Sequence, residues 1–415
     1  MRILLVNYRY FISGGPEKYM FHVKKLLEEN GHDVIPFSVH SAKNVQSEYS
    51  KYFVEPIGSR DAVYFREVKK TPKSIWKMLT RSIYSIEVKK AIQKEINDVK
   101  PDLVYIIHFV NKLSPSVITG AKAMNIPVVL RLSDYFLLCP RFDFLCQKKV
   151  CEECLTKGYR ACIRKKCVQS SKLASLIRVI SMKFHRLIKV YDKVDYFITP
   201  SEFLRNKLID NGFCSEKIVC IPTFTSSDTL SIPTQSGTYG LYFGRISEEK
   251  GIETLIQAYK SMPEKQLKIM GDDTTEEAVR LKEYVYRKGM TNVQFLGFRS
   301  GAELEHIIGN ARFTIIPSIW YDNLPNTALE SFQFSKPVIA SSIGSLPELV
   351  HDGVNGYLFE TGNAEDLKAK IILLDDDEKI RAMGAQSRRL LDSHFSPKTH
   401  YDSLMKVFEK LCCKS

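Results

Sequence analysis

Nowhere does the sequence hold the roughly 20 consecutive apolar residues that a membrane-spanning helix requires. Behind Met1-Arg2 the apolar run is only Ile3-Leu4-Leu5-Val6, too short for the core of a signal peptide. A cytoplasmic protein is therefore expected, one able to attach peripherally at the inner face of the cell membrane. The basic stretches are not interleaved with an aromatic stacking surface, which counts against a partner made of nucleic acid. What is in excess is positive charge, 60 Lys and Arg against 47 Asp and Glu, for a formal net charge of +13. That balance favours an anionic partner, whether a nucleotide-bearing small molecule, an acidic membrane surface or nucleic acid, and charge alone does not choose among them. With 415 residues, 44% of them hydrophobic, the chain can hold two full cores.

The patterning divides the chain in the same way. Strand Arg2–Asn7, a loop with Gly14-Gly15, helix Glu17–Asn30, a stop at Gly31 and strand Asp33–Ser38 form a β-α-β unit. Further strands are expected at Leu103–Ile107, Val128–Leu132 and Tyr196–Thr199, with helices at Ser114–Met124 and Ser201–Asn211. The second half repeats the alternation, with strands at Tyr239–Phe243, Leu267–Met270, Val293–Phe295, Phe313–Ile316, Pro337–Ala340 and Gly356–Phe359. Helices are expected to begin near Gly251, Thr275, Ala302, Asn326, Ser345 and Ala364. Two doubly wound α/β domains follow, residues 1–222 and 238–396, facing a cleft, with a hinge in Ile221–Gly237 where Pro, Thr, Ser and Gly dominate.

The most informative stretch is Pro317–Ser341, which sets Asp322 and Glu330 eight residues apart around a strand-to-helix turn. Pro325 and Asn326 mark the turn, and Thr327–Phe334 reads as the helix. Amides opening a helix at the carboxyl end of a strand suit a phosphate. Carboxylates beside a diphosphate must aim at hydroxyls, so Asp322 and Glu330 are assigned to a sugar and a ribose. The run Phe243-Gly244-Arg245-Ile246-Ser247-Glu248-Glu249-Lys250-Gly251 also links a strand to a helix and can project Arg245 and Lys250 at the same phosphates.

These motifs resemble glycosyltransferase family 4, retaining enzymes of the GT-B fold whose donor site carries an acid, seven intervening residues, Glu, and then Gly-x-Pro-Val. The resemblance runs nearly end to end. The first acid here is Asp322 where Glu is usual, Asn323-Leu324-Pro325 replaces glycines, and Ser335-Lys336 precedes Pro337. It implies transfer of a hexosyl group from a nucleotide-diphosphate sugar, with no cofactor or metal ion needed for catalysis. Arg245 and Lys250 would hold the diphosphate. Gly244, Gly271, Leu296, Phe298, Asn323, Leu324, Pro325, Asn326 and Thr327 would complete the donor site beside Asp322 and Glu330. Phe298 suits either a core or a base-stacking position, and the base is left open between uracil and guanine. The last helix, about 397–412, would cross back onto the first domain.

In the first half, Ser13-Gly14-Gly15-Pro16-Glu17 resembles the family's Gly-Gly loop, which lets backbone amides approach phosphate or acceptor. Where the family often carries His and a His-Asp pair, this chain has His108 and Ser133-Asp134. Asp134 is expected to touch the acceptor; His108 suits either the cleft or a structural hydrogen bond. Six of the ten cysteines lie between Cys139 and Cys167, a cysteine-rich insertion over about 139–171. Cys151-x2-Cys154 with Cys162 and Cys167 makes a candidate structural zinc site, free thiols being the alternative. The segment Lys69–Gln93 reads as a basic amphipathic helix with Trp76, suited either to a membrane interface or to covering the first sheet. The reading as a whole is a glycosyltransferase acting on a glycan or polyprenyl-linked acceptor in bacterial surface polysaccharide biosynthesis, from a UDP- or GDP-sugar. A sugar-nucleotide epimerase or hydrolase lacks its acid–base set here, and a zinc-containing nucleic-acid binder leaves Asp322 and Glu330 without a role.

Overall fold

The computed structural model of the chain describes residues 1–59, 68–69, 71–225 and 237–412. Two six-stranded, fully parallel sheets organise it. The first contains β1 (Arg2–Asn7), β2 (Asp33–Phe37), β3 (Leu103–His108), β4 (Val128–Arg131), β7 (Tyr196–Thr199) and β8 (Ile218–Cys220), in the order β2-β1-β3-β4-β7-β8. A two-stranded antiparallel hairpin, β5 (Leu145–Cys146) and β6 (Lys149–Val150), stands apart in the cysteine-rich insertion. The second sheet contains β9 (Tyr239–Phe243), β10 (Gln266–Met270), β11 (Val293–Gly297), β12 (Phe313–Ile316), β13 (Val338–Ser341) and β14 (Gly356–Phe359), ordered β11-β10-β9-β12-β13-β14. These strands read as near-continuous apolar runs because helices cover both faces of each sheet.

In the first domain the helices are α1 (Gly15–Glu29), α2 (Pro72–Ile83), α3 (Ile86–Val99), α4 (Ser116–Lys122), α5 (Glu153–Thr156), α6 (Arg160–Arg164), α7 (Lys172–Leu187) and α8 (Glu202–Ile209). The second adds α9 (Ile252–Lys260), α10 (Glu276–Arg287), α11 (Gly301–Gly309), α12 (Asn326–Gln333), α13 (Leu346–Leu349), α14 (Ala364–Ile372) and α15 (Asp377–His394). The last, α16 (Pro397–Cys412), buries Leu404, Val407 and Phe408 against Ile3, Leu5 and Tyr105 of the first sheet. His400 anchors it, contacting Tyr19 Oη at 3.0 Å and Pro222 O at 2.7 Å.

One expectation changes. The segment 69–93 is not one helix. Ser85 caps a new helix by accepting a hydrogen bond from the Val88 amide, and Tyr84 before it is extended. α3 then turns Val88, Ile92 and Ile96 into the core and keeps only Ile86 exposed among its apolar residues. Strand β8 and helices α7 and α15 were outside the sequence reading; β8 is three residues long, and α15 is polar enough to blur its periodicity. Of the expected hinge, 226–236 lie outside the described residues.

Candidate active site

In the second sheet the order of strands reverses between β9 and β12, and ligands of open α/β sheets gather at the carboxyl ends beside such a switch point. Lys250 follows β9 and Asp322 follows β12, and the two meet: Lys250 Nζ lies 2.6 Å from Asp322 Oδ2. Gly251 permits this approach. It has φ +67°, and a Cβ there would lie 1.9 Å from Pro317 O. Ser318 Oγ donates to the same carboxylate oxygen at 2.9 Å, and Lys250 Nζ stands 5.3 Å from the Trp320 ring centre. Both partners are largely buried, so the carboxylate is held by a cation and a hydroxyl rather than by water. Arg245 turns outward instead, pairing with Glu249 at 2.7 Å.

The loop after Asp322 is braced from β13–α13. Ser345 Oγ donates to Asp322 O at 2.8 Å and accepts from the Leu324 amide at 2.8 Å. Leu324 is held at φ +82°, a left-handed conformation that glycine adopts without strain, at one of the positions where the resemblance leads one to expect glycine. The loop opens α12, whose first amides receive no side-chain cap. Across from it, α1 also starts uncapped, at Gly14. Both ends border one cavity of about 110 Å³, whose lining includes Gly15, Arg131, Ser133, Asn323, Leu324 and Asn326. Arg131 is buried there, with Nη1 donating to Ile221 O at 3.1 Å and its guanidinium 3.8 Å from the Tyr19 ring centre. Two helix N-termini and a guanidinium around one space make an anion site. The sequence reading missed Arg131, although a lone Arg closing the apolar strand Val128–Arg131 was visible.

Glu330, one helical turn inside α12, takes a hydrogen bond at 3.0 Å from Lys18 of α1, so an ion pair spans the two domains. Asn323 also bridges them, accepting from Ser201 Oγ at 3.0 Å. At the first sheet's own switch point, between β1 and β3, His108 Nε2 faces Asp134 Oδ2 at 3.7 Å. Burial pushes His108 down to about 4 and Asp134 up to about 6. At neutral pH the imidazole is therefore uncharged and Asp134 ionised, and the contact is not a salt bridge. Beside them Glu17 is buried, accepting from Ser13 Oγ at 2.9 Å, while Arg9 donates to that hydroxyl at 2.7 Å.

The family model for Glycosyltransferase Family 4 matches residues 13–228, more than half of the chain. The chain belongs to that family. Residues 234–390 match a second model, Glycosyl transferases group 1. An uncharacterized glycosyltransferase of Methanocaldococcus jannaschii is 29% identical over 219 residues, covering 52% of this chain and 60% of the relative. The lipopolysaccharide 1,2-N-acetylglucosaminetransferase of Salmonella typhimurium is 27% identical over 235 residues, 51% of this chain and 60% of the relative. The chain thus spans less than two thirds of these relatives. Among solved structures, that of Anabaena HepE in complex with UDP-glucose superposes with a TM-score of 0.64 at 16% identity, over 99% of this chain and 100% of the other. The fold is GT-B, two Rossmann-like domains.

Other candidates in this family 4 glycosyltransferase fall into three groups. Pro325 stands at the N-cap position of α12, and Asn326 and Thr327 open it, with Gly15 facing the Asn326 side-chain Nδ2 and Gly244 facing the Thr327 methyl. Gly271 donates its amide to Gly297 O at 3.1 Å, fixing the turns after β10 and β11, with Leu296 half-buried there. Phe298 is 69% exposed, which settles it against a core position. Of the candidate thiols, Cys154 and Cys167 pack beside Cys162. Among the described residues no group of three or more side chains placed to hold a metal ion is formed; Cys167 meets Cys146, Sγ atoms 3.8 Å apart, and Cys162. The spacing in sequence did not foresee this because β5 and β6 fold Cys146 back onto the insertion, where Cys162 is buried with Val179 and Met182 of α7.

Proposed function

We propose that the protein is a retaining glycosyltransferase that moves a sugar from a UDP- or GDP-sugar to a glycan or polyprenyl-linked acceptor in bacterial surface polysaccharide biosynthesis. The observation that carries this reading is the convergence of two uncapped helix N-termini and Arg131 on one inter-domain cavity, beside the Lys250–Asp322 pair. A nucleoside diphosphate is the ligand whose charge and length suit that arrangement. Its phosphates would lie on the α12 amides, with Lys250 and Arg245 neutralising the charge that grows as the diphosphate leaves. Asp322 would then accept from hydroxyls of the transferred sugar, and Glu330 from the ribose once Lys18 has released it. Leaving-group phosphate would take the acceptor proton on the same face of the sugar, with Asp134 holding the acceptor hydroxyls. The two cations meet the electrostatic demand, so turnover in a chelator is expected to match turnover without one. Relatives with printed activities support the pathway: the Salmonella enzyme is a lipopolysaccharide N-acetylglucosaminetransferase, and the Anabaena protein binds UDP-glucose.

The test is a screen of UDP- and GDP-sugars with oligosaccharide and polyprenyl-linked acceptors, mass spectrometry detecting transfer and NMR reading the configuration of product and donor. Glycosyl transfer with the anomeric configuration kept supports the proposal, and an inverted product removes the retaining mechanism. Epimerised or hydrolysed donor with no transfer overturns the reading. Lys250→Ala and Glu330→Ala should each lower kcat/KM by about 10²–10³ with folding intact; wild-type turnover in both would remove the donor site.

A further inference from the structure

The first domain presents a second surface that the donor site does not use. α2 and α7 lie side by side, His185 Nε2 of α7 contacting Ile83 O of α2 at 2.6 Å. α7 buries Ser175, Arg178, Val179, Met182 and His185, and its opposite side exposes Leu173, Leu176, Ile180 and Leu187 at helical spacing. α2 exposes Ile75 and Trp76, the latter 69% accessible. Single exposed apolar residues are ordinary, but a stripe of four along one side of α7, with two more on the helix packed beside it, calls for a partner.

The charge around it says which partner. Neither α2 nor α7 contains an acidic residue, while Lys73, Lys172, Lys183 and Arg186 are exposed on them. At one end Tyr84, Phe184 and Ile188 wall an open cavity of about 450 Å³ shared with Lys89, Lys122 and Lys193. Lys122 is paired with Asp195 at 3.0 Å; among the described residues no ion pair engages Lys89 or Lys193. A second copy placed on this face about a two-fold axis would bring lysines against lysines, at a cost. An acidic peptide would meet the lysines and leave the apolar stripe exposed. A bilayer with anionic headgroups meets both, since apolar side chains enter the acyl boundary, lysines stand at the phosphates and Trp sits between.

We propose that α2 and α7 together dock the protein on an anionic lipid bilayer, the Lys89–Lys193 cavity taking a phosphate-bearing headgroup. This places the membrane contact differently from the segment 69–93 read in sequence: α3 is occupied by the core, and α7 takes its place. The surface stands independently of the donor chemistry, so failure of one reading leaves the other intact.

The experiment is co-sedimentation of the full chain with vesicles of phosphatidylcholine alone and of phosphatidylcholine mixed with phosphatidylglycerol. Binding is expected only to the mixed vesicles, weakening with salt. Leu176→Ser with Ile180→Ser, and separately Lys183→Glu with Arg186→Glu, should each lower the partition coefficient about tenfold or more. Lys89→Glu with Lys193→Glu should reduce it too if the cavity receives the headgroup; unchanged binding removes that part of the proposal. All these side chains except Lys89 are exposed, and circular dichroism with thermal melting checks that each variant folds. No vesicle binding, equal binding to both vesicle types, or binding untouched by the α7 variants overturns the proposal. So does a concentration-dependent dimer dispersed by Ile180→Ser in a protein that ignores vesicles.

Discussion

Asp134 shows how burial, outweighing the Phe136 amide and the Arg178 charge, sets a residue's working range. Its carboxyl, pushed up to about 6, is ionised at neutral pH and protonated below. If that carboxylate holds the acceptor, kcat/KM should fall as pH drops through about 6. Asp134→Asn should lower the plateau and erase that limb, and an unchanged acid limb in the variant would free Asp134 from this role. His108 cannot be the source of the limb, because burial has already driven its protonation to about 4. Leu324 carries the opposite lesson. Its strained backbone is pinned by Ser345 beside Asp322, so the departure from glycine is a local constraint on the loop that would meet the sugar.

At the scale of elements, the site depends on how closely the β9–α9 loop can approach the end of β12. Gly251→Ala puts a methyl into Pro317 O and forbids the left-handed turn. The expected result is a loss of about 2 kcal/mol in stability together with lost activity, read by urea unfolding and turnover. Activity at the wild-type level in this variant would show that the turn does not position Lys250. α3 offers a test remote from the site. Glu95 is fully buried there, neither carboxylate oxygen has a hydrogen-bond partner among the described residues, and desolvation, aided by Asp98, pushes it up to about 9 from an ordinary 4.5. The unfolded chain ionises Glu95 from about 4.5 upward while the folded one keeps the proton, so its cost to stability is absent at low pH and grows up to about 9. Glu95→Gln should therefore stabilise the protein by about 3 kcal/mol at pH 7 and have little effect at pH 4. Equal effects at both would contradict the burial argument.

For the whole molecule, the two domains are joined by contacts from widely separated parts of the chain. Glu348 of α13 accepts from the Glu202 and Phe203 amides at 2.8 and 2.6 Å, closing the N-terminus of α8 in the other domain. Tyr321, next to Asp322, packs on Phe203 with ring centres 4.8 Å apart and also meets Tyr135 and Phe144. Removing both anchors, Glu348→Ala with Tyr321→Ala, should open the cleft: a larger radius of gyration by small-angle scattering, unchanged helicity and a lower kcat. Identical scattering curves would mean that other contacts hold the arrangement.

Much of this was legible in advance. β1, β7, β9, β12 and β14 fall where apolar runs between turn residues placed them, and Asp322, Glu330, Arg245 and Lys250 follow the strands they were expected to follow. Such features are local, written in periodicity and turn chemistry over ten or so residues. The break at Ser85 was less visible, since a serine inside an amphipathic pattern becomes a cap only when the core claims the next helix. By itself, then, the sequence determined two parallel-sheet halves, a set of charged residues at strand ends, and membership of a family. Tertiary structure decided which groups meet: Lys250 with Asp322, Lys18 with Glu330, Glu348 with α8, and Cys146 with Cys167. It also decided that α7 stands beside α2. The reason is physical: such pairings depend on distance in space between segments remote in the chain, and hydrophobic periodicity carries the face of an element but not the identity of its neighbour.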